Sequence, residues 1–114
     1  MILELVEFNS PKGQTRAQVA EDARKVIPRW QSEKELLRKH FLLELNGKTG
    51  AGVYIWPSLA AAQRAHDEAW KQSIIKRTGA APTIRYFDLF LLIDNEHGKV
   101  TEFPEVAEIK ATAS

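Results

Sequence analysis

The sequence predicts a single α+β domain in which four strands and two helices follow one another in the order βαββαβ. Alternating apolar and polar residues mark the strands, and apolar residues at helical spacing mark the helices. An Asn-Gly pair at 46–47 marks a hairpin between the middle strands. This order is that of a ferredoxin-like sandwich. We expect the domain to occupy residues 1–105 and residues 106–114 to form a frayed tail.

The first strand and the first helix have clear local signals. Residues 2–8 alternate as a strand does. Thr15 and Gln18 match a capping box, in which the threonine caps a helix and the glutamine reaches back to the cap. We expect the helix over residues 16–27, ending before Pro28, because a proline disfavours the helical conformation in the preceding residue.

The second and third strands form the predicted hairpin, over residues 35–45 and 50–56. The Asn-Gly pair at 46–47 predicts a type I′ turn with positive φ at both positions, so these strands are antiparallel neighbours. Pro57 ends the third strand, and Ser58 is a good N-cap for the helix that follows.

One face of the third strand is distinctive. It carries two small residues and then two large aromatic ones, namely Gly50, Gly52, Tyr54 and Trp56. We expect this face to shape a recess or a stacking surface. The second helix, predicted over residues 59–76, places His66 and Trp70 on its inward stripe.

The fourth strand, predicted over residues 83–93, is apolar on both faces. Phe87 and Leu91 lie on one face, and Phe90 lies on the other. Two helices can cover only one side of a four-stranded sheet. We therefore expect a second copy of the chain to cover the other side, giving a homodimer through the sheet face. The segment after residue 98 is ambiguous and can add a short strand.

Composition disfavours several classes of partner. The formal net charge of +1 argues against binding to nucleic acid or to an anionic membrane surface. The absence of cysteine excludes disulfides, thiolate nucleophiles and cysteine-based zinc sites. No apolar run approaches the ~20 residues that span a bilayer, and the N-terminus lacks a signal-type apolar core, so we expect a cytoplasmic protein.

Three segments together carry a resemblance to a known family. They lie at residues 37–42, 50–58 and 79–82, and they read Leu-Arg-Lys-His-Phe-Leu, Gly-Ala-Gly-Val-Tyr-Ile-Trp-Pro-Ser and Gly-Ala-Ala-Pro. They resemble a small bacterial family of proposed mono-oxygenases within the dimeric α+β barrel superfamily, which includes the antibiotic-biosynthesis mono-oxygenases. The resemblance spans roughly residues 1–95. It implies a pocket between sheet and helices in each subunit, with two sheets closing a barrel across a dimer.

The resemblance also bears on chemistry. Relatives oxidise polycyclic phenols with molecular oxygen and no metal or flavin, degrade haem, or isomerise lactones. Haem-degrading relatives carry an axial histidine near the end of the second helix, where this chain has Ile74 and Ile75. The resemblance therefore disfavours haem degradation.

Lys39 and His66 are the candidate catalytic residues. Lys39 shares a strand face with Phe41, so its ammonium needs a partner or a polar pocket. There it can stabilise a phenolate or enolate, and the alternative is an ion pair with Glu4 or Asp88, or a side chain that snorkels to solvent at a strand end. His66 can act as a general base near neutral pH, and the alternative is a satisfied histidine at the core edge.

The predicted substrate pocket is aromatic, and its candidate residues are Tyr54, Trp56, Trp70 and Tyr86. Aromatic walls suit a small, flat aromatic ligand, and the alternative is that these side chains are core, Trp70 above all. Trp30 is interpreted as a packing residue. The sequence shows no metal-ligand spacing and no Gly-rich phosphate loop, so no metal and no cofactor are expected.

Three functions stay open at this point. The first is a cofactor-independent mono-oxygenase in which a base removes a proton, Lys39 holds the resulting anion and dioxygen attacks the carbanion. The second is a dimer that binds a small ligand or a partner without catalysis. The third is an RRM, which shares the element order and whose third-strand aromatic motif residues 48–56 faintly echo. The near-neutral charge and the doubly apolar fourth strand count against the RRM.

Overall fold

The computed structural model describes residues 1–10 and 13–107. The strands are β1 (Ile2–Asn9), β2 (Arg38–Leu43), β3 (Thr49–Trp56), β4 (Thr83–Asp88), β5 (Leu91–Asp94) and β6 (Lys99–Glu102). The helices are α1 (Arg16–Lys25), α2 (Ile27–Gln31), α3 (Leu59–Ala65) and α4 (Glu68–Thr78). Four strands form one antiparallel sheet in the order β2-β3-β1-β4, and β5 pairs with β6 in a separate hairpin. The predicted ferredoxin-like fold is confirmed.

The core lies between the helices and one face of the sheet. Its buried members from the strands are Ile2, Val6, Tyr54 and Trp56, and its buried members from the helices are Trp30, Ala61, Ala62 and Ala65. The small alanines of α3 let that helix approach the aromatic side chains of β3 closely. The inward face of β3 is therefore the centre of the molecule.

The first helix begins as predicted and ends earlier. Thr15 accepts a hydrogen bond from the Gln18 amide at 3.2 Å, and the Gln18 side chain accepts one from the Thr15 amide at 2.8 Å. The helix ends at Lys25 rather than at residue 27, and the short α2 follows with Pro28 in its first turn. Proline is tolerated there because no hydrogen bond is needed from its nitrogen.

The hairpin between β2 and β3 is confirmed, but its predicted type I′ turn is wrong. Gly47 has a positive φ of 75°, whereas Asn46 does not. The Gly47 amide donates to the Glu44 carbonyl at 2.7 Å, and the Asn46 side chain accepts from the Lys48 amide at 2.8 Å. Asn46 thus closes the turn with its side chain, so that its backbone can keep an ordinary φ.

The second helix is interrupted, so the prediction of one helix over residues 59–76 is wrong. It ends at Ala65, and His66 leaves the helical conformation with φ −114° and ψ 61°. Asp67 then starts α4 as its N-cap, accepting a hydrogen bond from the Trp70 amide at 2.9 Å. An aspartate with this capping preference stops one helix and restarts another.

The fourth strand is also divided, so the prediction of one strand over residues 83–93 is wrong. Asp88 pairs with Ile2 in the last pair of the β1·β4 ladder. The Leu89 amide still donates to the Met1 carbonyl at 2.9 Å, but beyond that point the chain leaves the sheet. It continues as β5, and the ambiguous segment after residue 98 supplies its partner β6.

The face of the sheet opposite the helices is open. Leu42 and Phe87 on this face are each 44% exposed. In the separate β5–β6 hairpin, Ile93 is 64% and Val100 69% exposed. Of the predicted frayed tail, Val106 packs against the core, and residues 108–114 lie outside the described residues. None of the helices in the described part of the chain is long and apolar enough to cross a bilayer.

Candidate functional site

Four polar side chains cross the sheet in one line on the face covered by the helices. Lys39 of β2 is opposite Tyr54 of β3, Tyr54 is opposite Glu4 of β1, and Glu4 is opposite Tyr86 of β4. Directly opposite residues in an antiparallel sheet share a face. We call these four residues the polar row. It holds an ammonium at one end and a carboxylate between the two phenols.

Glu4 is fully buried within the polar row. Its Oε1 atom accepts a hydrogen bond from Trp56 Nε1 at 2.9 Å and lies 2.9 Å from His66 Nδ1. Its Oε2 atom has no hydrogen-bond partner among the described residues. A buried carboxylate is costly unless it is paired. Trp56 and His66 therefore stabilise Glu4 in the core, and Tyr86 faces it from β4.

His66 is enclosed by aromatic rings. Its ring centroid lies 4.4 Å from that of Trp70, 4.5 Å from that of Tyr54 and 5.3 Å from that of Trp30. The side chain is 0% exposed, and among the described residues neither ring nitrogen makes an aligned hydrogen bond. His66 thus has a carboxylate beside Nδ1 and an unpartnered Nε2.

Lys39 lies among aromatic faces. Its Nζ is 3.8 Å from the ring centroid of Tyr54, 4.0 Å from that of Phe41 and 5.1 Å from that of Trp30. Among the described residues it forms no ion pair, so the alternative of a pair with Glu4 or Asp88 is not what the structure shows. Aromatic faces attract the cation but do not neutralise it.

The charge state of Lys39 is correspondingly labile. Burial, followed by the nearby Arg29 cation, lowers the pKa of Lys39 to about 7, and the charge of Glu4 acts in the opposite direction. At neutral pH the side chain is therefore divided between ammonium and amine. Burial, followed by the charge of Glu4, raises the pKa of Tyr86 to about 12 and that of Tyr54 well above its usual range.

The two glycines of β3 make room for this arrangement. A Cβ atom on Gly52 would lie 2.9 Å from Lys39 Nζ and 2.9 Å from Tyr54 Cε1. A Cβ atom on Gly50 would lie 2.6 Å from the ring of Phe8. The recess expected above these glycines is therefore filled by Lys39 and Phe8, and it positions the ammonium over β3.

A groove of about 1000 Å³ separates α1, α2 and α4 from strands β2 and β3. Of the predicted site residues, Lys39, Tyr54 and Trp70 line it. Trp30 and Phe41 also line it, so Trp30 serves the groove as well as the core. The groove is wide enough for a ligand of two or three fused rings.

The other predicted site residues are not among those that line the groove. His66 and Trp56 lie behind its wall, with Trp56 0% exposed. Tyr86 is 38% exposed and lies at the far end of the polar row from Lys39. The structure therefore brings Lys39 and His66 against the same ring, that of Tyr54, at 3.8 Å and 4.5 Å from its centroid.

Sequence reasoning missed four members of this site, namely Glu4, Arg29, Trp30 and Phe41. Glu4 had a signal, because it is a carboxylate on the inward face of a strand whose neighbours on that face, Ile2 and Val6, are apolar. Arg29 had none, since its place beside Lys39 depends on how α2 packs.

Within residues 1–10 and 13–107, no group of three or more His, Cys, Asp or Glu side chains is placed to hold a metal ion. The RRM alternative requires exposed aromatic side chains on β3 for base stacking. Tyr54 is 3% exposed and Trp56 is 0% exposed, both beneath the helices. This sheet therefore offers no such stacking platform on β3.

Comparison with known proteins gives a likeness of structure only. No family model and no curated protein matches the sequence. A protein of unknown function from Nitrosomonas europaea aligns with a TM-score of 0.61 at 16% identity, over 77% of this chain and 87% of that one. An antibiotic biosynthesis mono-oxygenase aligns with a TM-score of 0.59 at 15% identity, over 77% of this chain and 97% of that one.

A variant of SnoaB from Streptomyces nogalater, a cofactor-independent oxygenase, aligns with a TM-score of 0.50 at 12% identity, over 75% of this chain and 87% of that one. The chain has the fold of the antibiotic-biosynthesis mono-oxygenases. The resemblance read from the sequence is confirmed at this level. Because such folds host many activities, chemistry has to be argued from the site.

Proposed function

We propose that this chain is a cofactor-independent mono-oxygenase that acts on a small aromatic substrate with an enolisable C–H bond, bound in the groove. The observation that carries the proposal is Lys39, a cation on an aromatic groove wall with no carboxylate partner in the described part of the chain. Such a cation stabilises an oxyanion that develops on a bound substrate. The fold shared with SnoaB supports the proposal by analogy.

The reaction needs no external electron donor, because the substrate supplies the electrons. Removal of a proton from an activated CH₂ group leaves a carbanion, whose charge is delocalised onto a phenolate or enolate oxygen. The carbanion adds dioxygen to form a peroxide anion, which takes up a proton. The hydroperoxide then loses water and leaves a carbonyl group, so that CH₂ and O₂ become C=O and H₂O.

In this proposal each polar side chain has a distinct role. Lys39 in its ammonium form holds the substrate oxyanion, and Tyr54 stacks against the substrate rings. His66 accepts the proton at Nε2, and Glu4 beside Nδ1 stabilises the imidazolium that results. Because His66 is enclosed, Trp70 has to move aside before Nε2 reaches the substrate.

One observation favours the second candidate, a protein that binds the same ligands without catalysis. The His66 side chain is 0% exposed, and it is not among the residues that line the groove. A base that stays enclosed cannot take a proton from a ligand. The two candidates therefore differ in turnover and not in the ligand they bind.

Oxygen consumption with anthrone separates the two candidates. Anthrone has an activated CH₂ group, and its oxidation consumes one O₂ for each anthraquinone formed. We expect a rate above spontaneous oxidation, lowered at least about tenfold in Lys39→Met and in His66→Gln. Arg85→Gln, which removes an exposed cation paired with Glu7, should keep the rate. Binding of anthrone without any excess oxygen consumption would favour the non-catalytic candidate.

We also propose that two copies of the chain pack through the open face of the sheet. The support is the exposed apolar side chains of Leu42 and Phe87 on that face, with further exposed apolar side chains on the β5–β6 hairpin. The single long fourth strand from which the sequence predicts a dimer does not form. Sedimentation velocity at micromolar concentration should give twice the chain mass. Phe87→Glu should give the single mass, and Gln63→Glu on the helix side should not. A wild-type protein that sediments as a single chain would contradict the proposal.

A further inference from the structure

Two cations contact one indole ring that lines the groove. Arg29 Cζ lies 4.0 Å from the ring centre of Trp30, and Lys39 Nζ lies 5.1 Å from the same centre. Because both distances are measured to one point, the cations are no more than about 9 Å apart. Arg29 donates a hydrogen bond to the Ala65 carbonyl at 3.1 Å and forms no ion pair among the described residues.

This pair differs from the arginines that the chain neutralises. Arg24 pairs with Glu21, Arg64 with Glu35 and Arg85 with Glu7. Both side chains are exposed in each of those pairs, and Arg24, which also lines the groove, is neutralised by Glu21. Arg29 and Lys39 line the groove without such a partner among the described ion pairs. The mutual repulsion of the two unneutralised cations costs stability, and an anion between them would remove that cost.

The acidic residues that line the groove are committed to other groups. Asp22 accepts a hydrogen bond from Gln14 at 3.0 Å and lies 3.5 Å from Lys25. Asp67 caps α4. Neither carboxylate pairs with Arg29 or Lys39 among the described ion pairs, so the groove keeps its positive charge beside Trp30.

We propose that the groove binds an aromatic carboxylate, with the fused rings along the aromatic wall and the carboxylate between Lys39 and Arg29 over Trp30. The inference rests on the proposed function only in using the same groove, and it adds the charge of the ligand. A carboxylate can accept hydrogen bonds from an ammonium and a guanidinium at the same time, and its negative charge attracts both. A neutral phenol or quinone has fewer lone pairs at one site and no net charge, so it binds these two cations more weakly.

Binding of this kind has a measurable proton linkage. Lys39 faces Arg29 from α2, Glu4 from β1 and Tyr54 from β3; the first two shift its pKa in opposite directions, and Tyr54 stays neutral because its own pKa is raised. Above about pH 7 the free protein holds Lys39 largely as the amine. A bound carboxylate favours the ammonium, so a proton is taken up with the ligand.

Isothermal titration with 2-naphthoate and its neutral analogue 2-naphthamide tests the proposal. We expect 2-naphthoate to bind at least tenfold more tightly than 2-naphthamide at pH 6. Titration in two buffers of different ionisation enthalpy should show close to one proton taken up per 2-naphthoate at pH 8 and close to none at pH 6. Equal affinity for the two compounds, or no proton uptake at pH 8, would overturn the proposal.

Variants identify the groups responsible. Lys39→Met should lose both the preference for 2-naphthoate and the proton uptake, whereas Lys39→Arg should keep the preference without the uptake, because a guanidinium stays charged at pH 8. Arg29→Gln, a change at an exposed side chain, should reduce the preference, and Arg85→Gln should not. Proton uptake that persists in Lys39→Met would assign the linkage to another group and overturn the proposal.

The outcome is independent of catalysis, because neither naphthalene compound has an enolisable C–H bond. Preferential binding of 2-naphthoate without oxygen consumption on anthrone would leave this inference standing and remove the mono-oxygenase proposal. Turnover of anthrone without any preference for 2-naphthoate would support the mono-oxygenase proposal and overturn the inference about the carboxylate.

Discussion

Glu4 and Lys39 occupy the same polar row, and the chain treats them differently. Glu4 is fully buried, but it accepts a hydrogen bond from Trp56 and lies beside His66. Lys39 is only half-buried, yet its neighbours in the row and around it are aromatic faces and a second cation. A charge that the fold compensates contributes to structure, whereas a charge left uncompensated beside a groove is available to a ligand.

Removing the compensated charge should have the largest effect on stability. Glu4→Ala leaves the Trp56 indole N–H without its buried acceptor and the His66 ring without the carboxylate beside it, and we expect the free energy of unfolding to fall by about 3 kcal/mol. Urea denaturation measures it. Glu7→Ala, which removes an exposed carboxylate of the same strand, should cost less than about 1 kcal/mol. Equal losses in the two variants would show that the burial of Glu4 does not matter.

Filling the space at position 52 should displace Lys39 and Tyr54 in the polar row. In Gly52→Ala the new methyl group meets Lys39 Nζ and the Tyr54 ring at 2.9 Å, and we expect a loss of about 2 kcal/mol through displaced side chains. The ammonium should also leave the Tyr54 face, so binding of 2-naphthoate should weaken. Unchanged thermal unfolding and unchanged binding would contradict this account of the glycine.

Removing the hydrogen-bond donor that stabilises Glu4 should have a smaller effect on stability. Trp56→Phe deletes the indole N–H that Glu4 accepts, and we expect a loss of about 1.5 kcal/mol. The same substitution in a Glu4→Gln background should cost less, because the acceptor is then neutral. A double-mutant cycle by urea denaturation gives the coupling, and purely additive losses would mean that the bond contributes nothing.

Removing the uncompensated charge should stabilise the protein, by the smallest amount and only in part of the pH range. The pKa of Lys39 is about 7 in the fold and 10.5 in the unfolded chain. Between these values the unfolded chain holds more protons, so the stability of the wild-type protein rises with pH; below pH 7 the full cost of the ammonium applies.

We therefore expect Lys39→Met to gain about 1 kcal/mol at pH 6 and the gain to shrink as pH approaches 10. Thermal unfolding across this range measures it, with Lys48→Met in the exposed hairpin turn as the control. A substitution that stabilises the fold while weakening ligand binding is typical of a functional residue. A destabilising Lys39→Met at pH 6 would assign Lys39 to the structural half of the row.

The fold was predictable wherever local sequence decides the conformation. The capping box of Thr15, the hairpin at 46–47 and the strand of Tyr54 and Trp56 all depend on neighbours within a few residues. The errors fall where the chain had two local options. His66 continues the helical spacing of the second helix, and the capping preference of Asp67 was the signal that decides against it.

The site was predictable only in part, since its defining contacts join distant segments. Alternation placed Lys39 on the strand face that carries Phe41, and Tyr54 on the face that carries Gly52, and the resemblance implied a pocket between sheet and helices. The pairing of Glu4 with Trp56, across a separation of 52 residues, follows from the strand order and not from either segment alone. The approach of Arg29 to Lys39 likewise follows from the packing of α2.

The interruption between α3 and α4 gives one wall of the groove a hinge. His66 and Asp67 have non-helical backbone angles, and the eleven-residue rod beyond them carries Trp70, Ile74 and Arg77 on the groove wall. Small rotations at two residues suffice to swing such a rod. We expect this rotation of α4 to widen the entrance of the groove and to move the indole of Trp70 away from His66. The hinge therefore lies at His66, and its opening exposes the same residue.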